Sequence, residues 1–72
     1  MDIEGESYKL VGVINHHGEI NSGHYTTYVL NKISEKWNFF NDEKVEIVSD
    51  LKRIISKDNY LLFYEKQNKE VL

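Results

Sequence analysis

Cysteine and proline are both absent from this 72-residue chain. Without cysteine there is no disulfide to staple a small core and no thiolate zinc site to replace one. There is also no thiol nucleophile. A surplus of positive charge is missing as well: nine Lys and Arg stand against twelve Asp and Glu, a net charge of −3 that argues against a phosphate-backbone binder and so against nucleic acid as a partner. No run of about 18 apolar residues is present, and residues 1–7 are acidic and polar, unlike a secretory signal, so no membrane partner is expected. The expectation is a soluble intracellular chain, cytoplasmic or nuclear.

What is present favours sheet. Five Tyr, three Phe and one Trp, without proline, suit a pleated surface on which aromatic and β-branched side chains pack well. A chain this short is one domain or a piece of one, because a core of this size buries only about 60% of the surface that the unfolded chain exposes.

Residues 1–7 carry too little apolar surface to offset the entropy of ordering and are expected to be a disordered extension. Residues 8–15 predict a strand with apolar positions on both faces, and 16–23 a loop rich in Gly, Asn and Ser. Residues 24–30 alternate as a second strand. A polar connection, 31–35, leads to a third strand over 36–41, a tight turn at 42–44 and a short strand over 45–48. Ser49 or Asp50 can cap a single helix running to about Ser56, with Leu51, Ile54 and Ile55 on one face. Tyr60-Leu61-Leu62-Phe63-Tyr64 reads as a strand buried on both sides, and 66–72 as a disordered tail. The fold class is α+β, mainly antiparallel sheet with one short helix.

The segment Ser22-Gly23-His24-Tyr25-Thr26-Thr27-Tyr28 carries the chemistry. A hairpin centred on Lys32 and Ile33 sets Tyr28 opposite Trp37 and His24 opposite Asn41, and a slightly later register sets His24 opposite Asp42. Either partner, with Cβ atoms about 4.5–5.5 Å apart, can accept the Nδ1 proton of His24 and leave Nε2 outward as a base. An imidazole with an orienting partner is what a Cys-His or Ser-His dyad needs. The plainer alternative is that His24 ends a hairpin and Asn41 and Asp42 are turn residues. His16 follows its strand directly and can face the same cleft as His24, while His17 points to solvent. Three histidines raise a metal reading, but their spacing is not that of a helical ligand pair and no carboxylate accompanies them. No metal or cofactor is expected.

Four blocks, in order, resemble the C-terminal histidine box of the ubiquitin-specific proteases. They are Tyr8-x-Leu10-x-Gly12-Val13-Ile14-Asn15-His16-x-Gly18, Ser22-Gly23-His24-Tyr25-Thr26-Thr27-Tyr28, Trp37-x-x-Phe40-Asn41-Asp42-x-x-Val45 and Tyr60-Leu61-Leu62-Phe63-Tyr64. The likeness covers 8–65 and implies the palm-sheet portion of a papain-like cysteine protease that cleaves after the C-terminal glycine of ubiquitin. It implies His24 as general base, Asn41 as its orienting residue and Asp42 as an assisting acid. His16, Gly23 and Tyr25 fall on cleft positions, where a glycine leaves room for the slender ubiquitin tail.

The family's nucleophilic cysteine has no counterpart here. The chain is therefore expected to be a fragment, inactive alone, whose partners are ubiquitin, ubiquitinated proteins and the missing N-terminal part of the catalytic domain. Self-association through an exposed sheet edge is expected. A non-catalytic ubiquitin- or protein-binding β module derived from the same family is the alternative, and an unrelated small β-barrel adaptor a more distant one.

Overall fold

The alternation of apolar and polar residues folds into a six-stranded antiparallel sheet in the computed structural model, which describes residues 1–19 and 21–67. In chain order the strands are β1 (Asp2–Ile3), β2 (Glu6–His17), β3 (His24–Asn31), β4 (Lys36–Asn41), β5 (Lys44–Val48) and β6 (Asn59–Lys66). β2 to β5 form a meander, β1 pairs with the start of β2, and β6 returns to pair with β2.

Several local expectations are corrected. Residues 1–7, expected as an extension without structure, form β1 and the start of β2. A turn at Glu4 and Gly5, both at positive φ, folds Asp2 back onto Ser7, and the Tyr8 N–H donates to the Met1 carbonyl at 2.7 Å. β2 continues through His16 and His17, so both lie on a strand and not in a loop. The helix expected over 50–56 shrinks to a 3-10 turn, Leu51–Arg53, with the Asp50 carboxylate accepting from the Lys52 N–H at 3.1 Å. No α-helix occurs among the described residues. Of its three expected apolar contacts only Ile54 is buried, while Leu51 and Ile55 face solvent. Lys66 closes β6, the Gln67 N–H bonds the Ser7 carbonyl at 2.8 Å, and the rest of the expected tail lies outside the described residues.

The β3–β4 register also differs. Asn31 sets it: its carbonyl accepts from the Glu35 N–H at 2.8 Å, and its Oδ1 accepts from the N–H groups of Ile33 and Ser34 at 2.9 and 3.1 Å. With Glu35 at φ 58, the loop takes four residues, and Tyr28 pairs with Phe39 and Leu30 with Trp37. The displacement from the hairpin centred on Lys32 and Ile33 is two residues. Each side chain therefore keeps its face, as a one-residue slip would not allow.

The two faces of the sheet have different fates. On one, Val13, Tyr28 and Val48 bury against Ile54, with Leu10, Trp37 and Phe39 packed around them. The segment after β5 thus roofs this face. Arg53 lies over the Phe39 ring, 5.6 Å from its centroid. Asn15 is buried beneath the roof, where its Oδ1 accepts from Nδ2 of the half-buried Asn59 at 2.7 Å, and the same Asn59 amide donates to the Ile54 carbonyl at 3.1 Å. On the other face Tyr25, Val29, Phe40, Val45, Ile47, Leu61 and Phe63 remain exposed. The run 60–64 is accordingly not buried on both sides, because among the described residues β6 has no strand beyond it and no layer over its outward face.

Candidate functional site

The site lies where β2 ends, β3 begins and β4 ends. His17 is directly opposite His24 in the β2–β3 ladder, and the ring centroids are 6.5 Å apart with planes inclined by 29°. Cross-strand partners share a face, so His17 and His24 lie on the roofed side together with Thr26.

His24 Nε2 donates to Asn41 Oδ1 at 2.8 Å. The last β3–β4 pair is Thr27 with Phe40, so the contact runs diagonally across the strands, not between opposed residues. Since the amide oxygen can only accept, Nε2 carries a proton, and the neutral form of the ring has its lone pair on Nδ1. This reverses the expectation that Nδ1 would be tied down and Nε2 left outward. His24 is exposed, so the free nitrogen is within reach of solvent or of another chain. Asp42 is drawn into the two-residue turn between Asn41 and Lys44 at φ 53, and it makes no side-chain hydrogen bond to His24 among the described residues.

The three candidate cleft residues sit differently from His24. His16 is paired with Tyr25 across the ladder, on the opposite face, with ring centroids 4.7 Å apart. Tyr60 completes an aromatic group there, 5.9 Å from His16 and 6.2 Å from Tyr25. The expectation that His16 would share a cleft with His24 is therefore corrected. Alternation along β2 gives that position to His17, which had been expected to face solvent. Gly23 is tightly enclosed: a Cβ there would strike His16 Nε2, and would lie 2.6 Å from the Glu19 carbonyl and 2.7 Å from His16 Cε1. The space beside Gly23 is taken by the chain's own imidazole, whose Nε2 is buried without a hydrogen-bond partner among the described residues.

His17, Thr26 and Asp58 were missed by sequence reasoning. His17 Nε2 and Thr26 Oγ1 share a hydrogen bond of 3.1 Å, and His17 Nδ1 lies 3.8 Å from Asp58 Oδ2. Asp58 is brought there by the return of the chain into β6, where its carbonyl accepts from the His16 N–H at 3.1 Å. No motif spacing announces this contact, since it joins residues some forty positions apart. Among the described residues no group of three His, Cys, Asp or Glu is arranged to hold a metal ion.

Comparison with known proteins places these features in a family. The sequence model of "Ubiquitin carboxyl-terminal hydrolase" matches residues 2–64. Ubiquitin carboxyl-terminal hydrolase 4 of Pongo abelii is 41% identical over 63 residues, and ubiquitin carboxyl-terminal hydrolase 15 of Homo sapiens is 43% identical over 61. These alignments cover 88% and 85% of this chain but 6% of each relative. A chain in a structure of the yeast SAGA DUBm superposes with a TM-score of 0.76 at 31% identity, over 90% of this chain and 14% of that one. With a family match that runs from β1 into β6, and relatives above 40% identity along the same stretch, the chain belongs to the ubiquitin carboxyl-terminal hydrolase family, the deubiquitinating cysteine proteases.

Proposed function

We propose that this chain supplies the general base, His24, and its orienting amide, Asn41, to a thiol-dependent hydrolase acting after the C-terminal glycine of ubiquitin. The single observation that carries the reading is the 2.8 Å hydrogen bond from His24 Nε2 to Asn41 Oδ1. It selects the tautomer with a lone pair on Nδ1, the nitrogen that would take the proton from a cysteine thiol. That thiol must come from outside this chain, which has no cysteine. The chain alone is therefore inactive. Asn41 orients without adding a carboxylate's charge. Asp42, displaced into the turn, assists from solvent or after a rearrangement of that turn on binding. His16, Gly23 and Tyr25 serve as substrate-side residues, with the His16 ring moving aside where a tail enters.

The test replaces the matching segment of hydrolase 4 with this chain and follows release of a fluorophore from the ubiquitin C-terminus. His24→Ala in the chimera is expected to lower kcat by about 10²–10⁴-fold. Asn41→Ala should lower kcat while leaving KM close to its parent value. A chimera indifferent to His24→Ala refutes the base assignment, and turnover by the isolated chain refutes its inactivity. The missing cysteine also favours a second reading, a non-catalytic ubiquitin-binding sheet. It requires ubiquitin to shift the amide signals of Gly23, His24 and Tyr25 in the isolated chain, and fails if they stay fixed.

A further inference from the structure

His24 is exposed, and the hydrogen bond to Asn41 is its one side-chain tether among the described residues. The net worth of a single hydrogen bond open to water is of the same order as the entropy of confining a side chain to one of three staggered wells. Such a bond also lets the ring turn about the line from Nε2 to Asn41 Oδ1. A base that must present Nδ1 in one direction therefore needs a second restraint.

His17 stands where that restraint would act. It is directly opposite His24 in the β2–β3 ladder, a position that holds Cβ atoms about 4.5–5.5 Å apart. The ring centroids are 6.5 Å apart, and the planes lie within 29° of parallel. That separation falls inside the range of about 4.5–7 Å over which ring pairs interact. A His24 ring that let go of Asn41 and swung toward β2 would run into the other imidazole. His17 is itself held: its Nε2 shares a hydrogen bond of 3.1 Å with Oγ1 of Thr26, which is 4% exposed. Thr26 lies two residues after His24 on β3 and so on the same face, which ties the wall to the strand that carries the base.

We propose that His17 is a positioning residue for the base: its ring, tied down by Thr26, closes the β2 side of His24 and keeps Nδ1 turned to the thiol that the hydrolase reading requires. It acts through His24 and not on the substrate. The catalytic consequence rests on that reading, whereas the confinement of His24 is a property of the chain alone. The wall needs a flat ring of about this size and not an imidazole as such.

The experiment reads the His24 side chain in the intact chain by three-bond NMR couplings across Cα–Cβ, and kcat in the hydrolase 4 chimera. One χ1 well is expected for His24 in the parent. His17→Ala should give couplings averaged over several wells, with the amide signals of the Val13 and Tyr28 core unchanged. It should also lower kcat of the chimera about three- to tenfold with KM held, the lower figure being the loss when three wells are equally filled. His17→Phe keeps a ring without the nitrogens and should restore both the single well and most of kcat. His17→Gln keeps a hydrogen-bonding group near Thr26 without a ring and should restore neither. Rescue by Gln in place of Phe, or couplings or kcat indifferent to His17→Ala, overturns the proposal. If the chimera ignores His24→Ala, the base reading has failed, while averaged couplings in His17→Ala still establish the confinement. If the chimera needs His24 and ignores His17→Ala, the positioning role alone fails.

Discussion

Gly23 shows how much of the site is decided by single side chains. Its φ is not in the left-handed region, so glycine is required by the close approach of the His16 ring and the Glu19 carbonyl and not by backbone conformation. Gly23→Ala forces a buried imidazole and a carbonyl to move, and overpacking of this kind costs about 1–3 kcal/mol. A urea midpoint lowered accordingly, with the His16 ring signals displaced, is the expected result, and an unchanged midpoint contradicts the packing. The same residue marks the limit of reading the sequence: the Gly-His-Tyr block flagged Gly23 and His24, but what fills the space beside Gly23 depends on which face His16 takes. That face follows from β2 running two residues beyond its expected end. His24 and Asn41 were legible because strand alternation puts them on one face in any register of the right parity. The identity of the bonded nitrogen was not, because it depends on the diagonal offset set by the loop at Asn31.

At the scale of elements, the segment after β5 does the work expected of a helix with only a 3-10 turn. Its anchors are Ile54 in the core and Arg53, whose Nη1 lies 2.8 Å from Glu46 Oε1 on β5. The Arg53 hydrogen bond first, and its charge second, hold the Glu46 carboxyl below its ordinary value of 4.5. A depressed carboxylate contributes stability that is present above the ordinary value and lost as pH falls through the depressed one. The effect is small, because both groups are exposed to solvent. Glu46→Gln is therefore expected to lower the thermal midpoint slightly at neutral pH, and the two proteins should converge in acid below the Glu46 pKa. A constant difference across the whole range contradicts the linkage. Capping chemistry at Asp50 was readable from sequence, whereas the short length of the turn was not: after Arg53 the chain must drop Ile54 into the sheet and deliver Asn59 to Asn15. Those two tertiary contacts override the local helical spacing of Leu51, Ile54 and Ile55.

For the molecule as a whole, the sequence reads as more deeply buried than the chain is. The run 60–64 and the apolar positions of β3 to β5 have the composition of a sheet covered on both faces, yet only one face is roofed. Both statements hold if the second layer comes from outside the chain, consistent with relatives of which it spans 6%. The uncovered face is apolar at Tyr25, Val29, Phe40, Val45, Ile47, Leu61 and Phe63, and among the described residues β5 and β6 leave free edges. Large exposed apolar patches and free edges both promote association. In isolation the chain should therefore self-associate chiefly through this face, and not by its edges alone. Sedimentation velocity across a range of concentrations is expected to show a rising weight-average mass. Ile47→Lys with Val45→Lys, both side chains exposed on β5, should shift the distribution toward monomer without loss of the far-ultraviolet sheet signal. Edge pairing would instead respond to a proline placed in β6 and ignore the lysines, and a wild-type chain monomeric at every concentration would mean that the open face is tolerated by water without a partner.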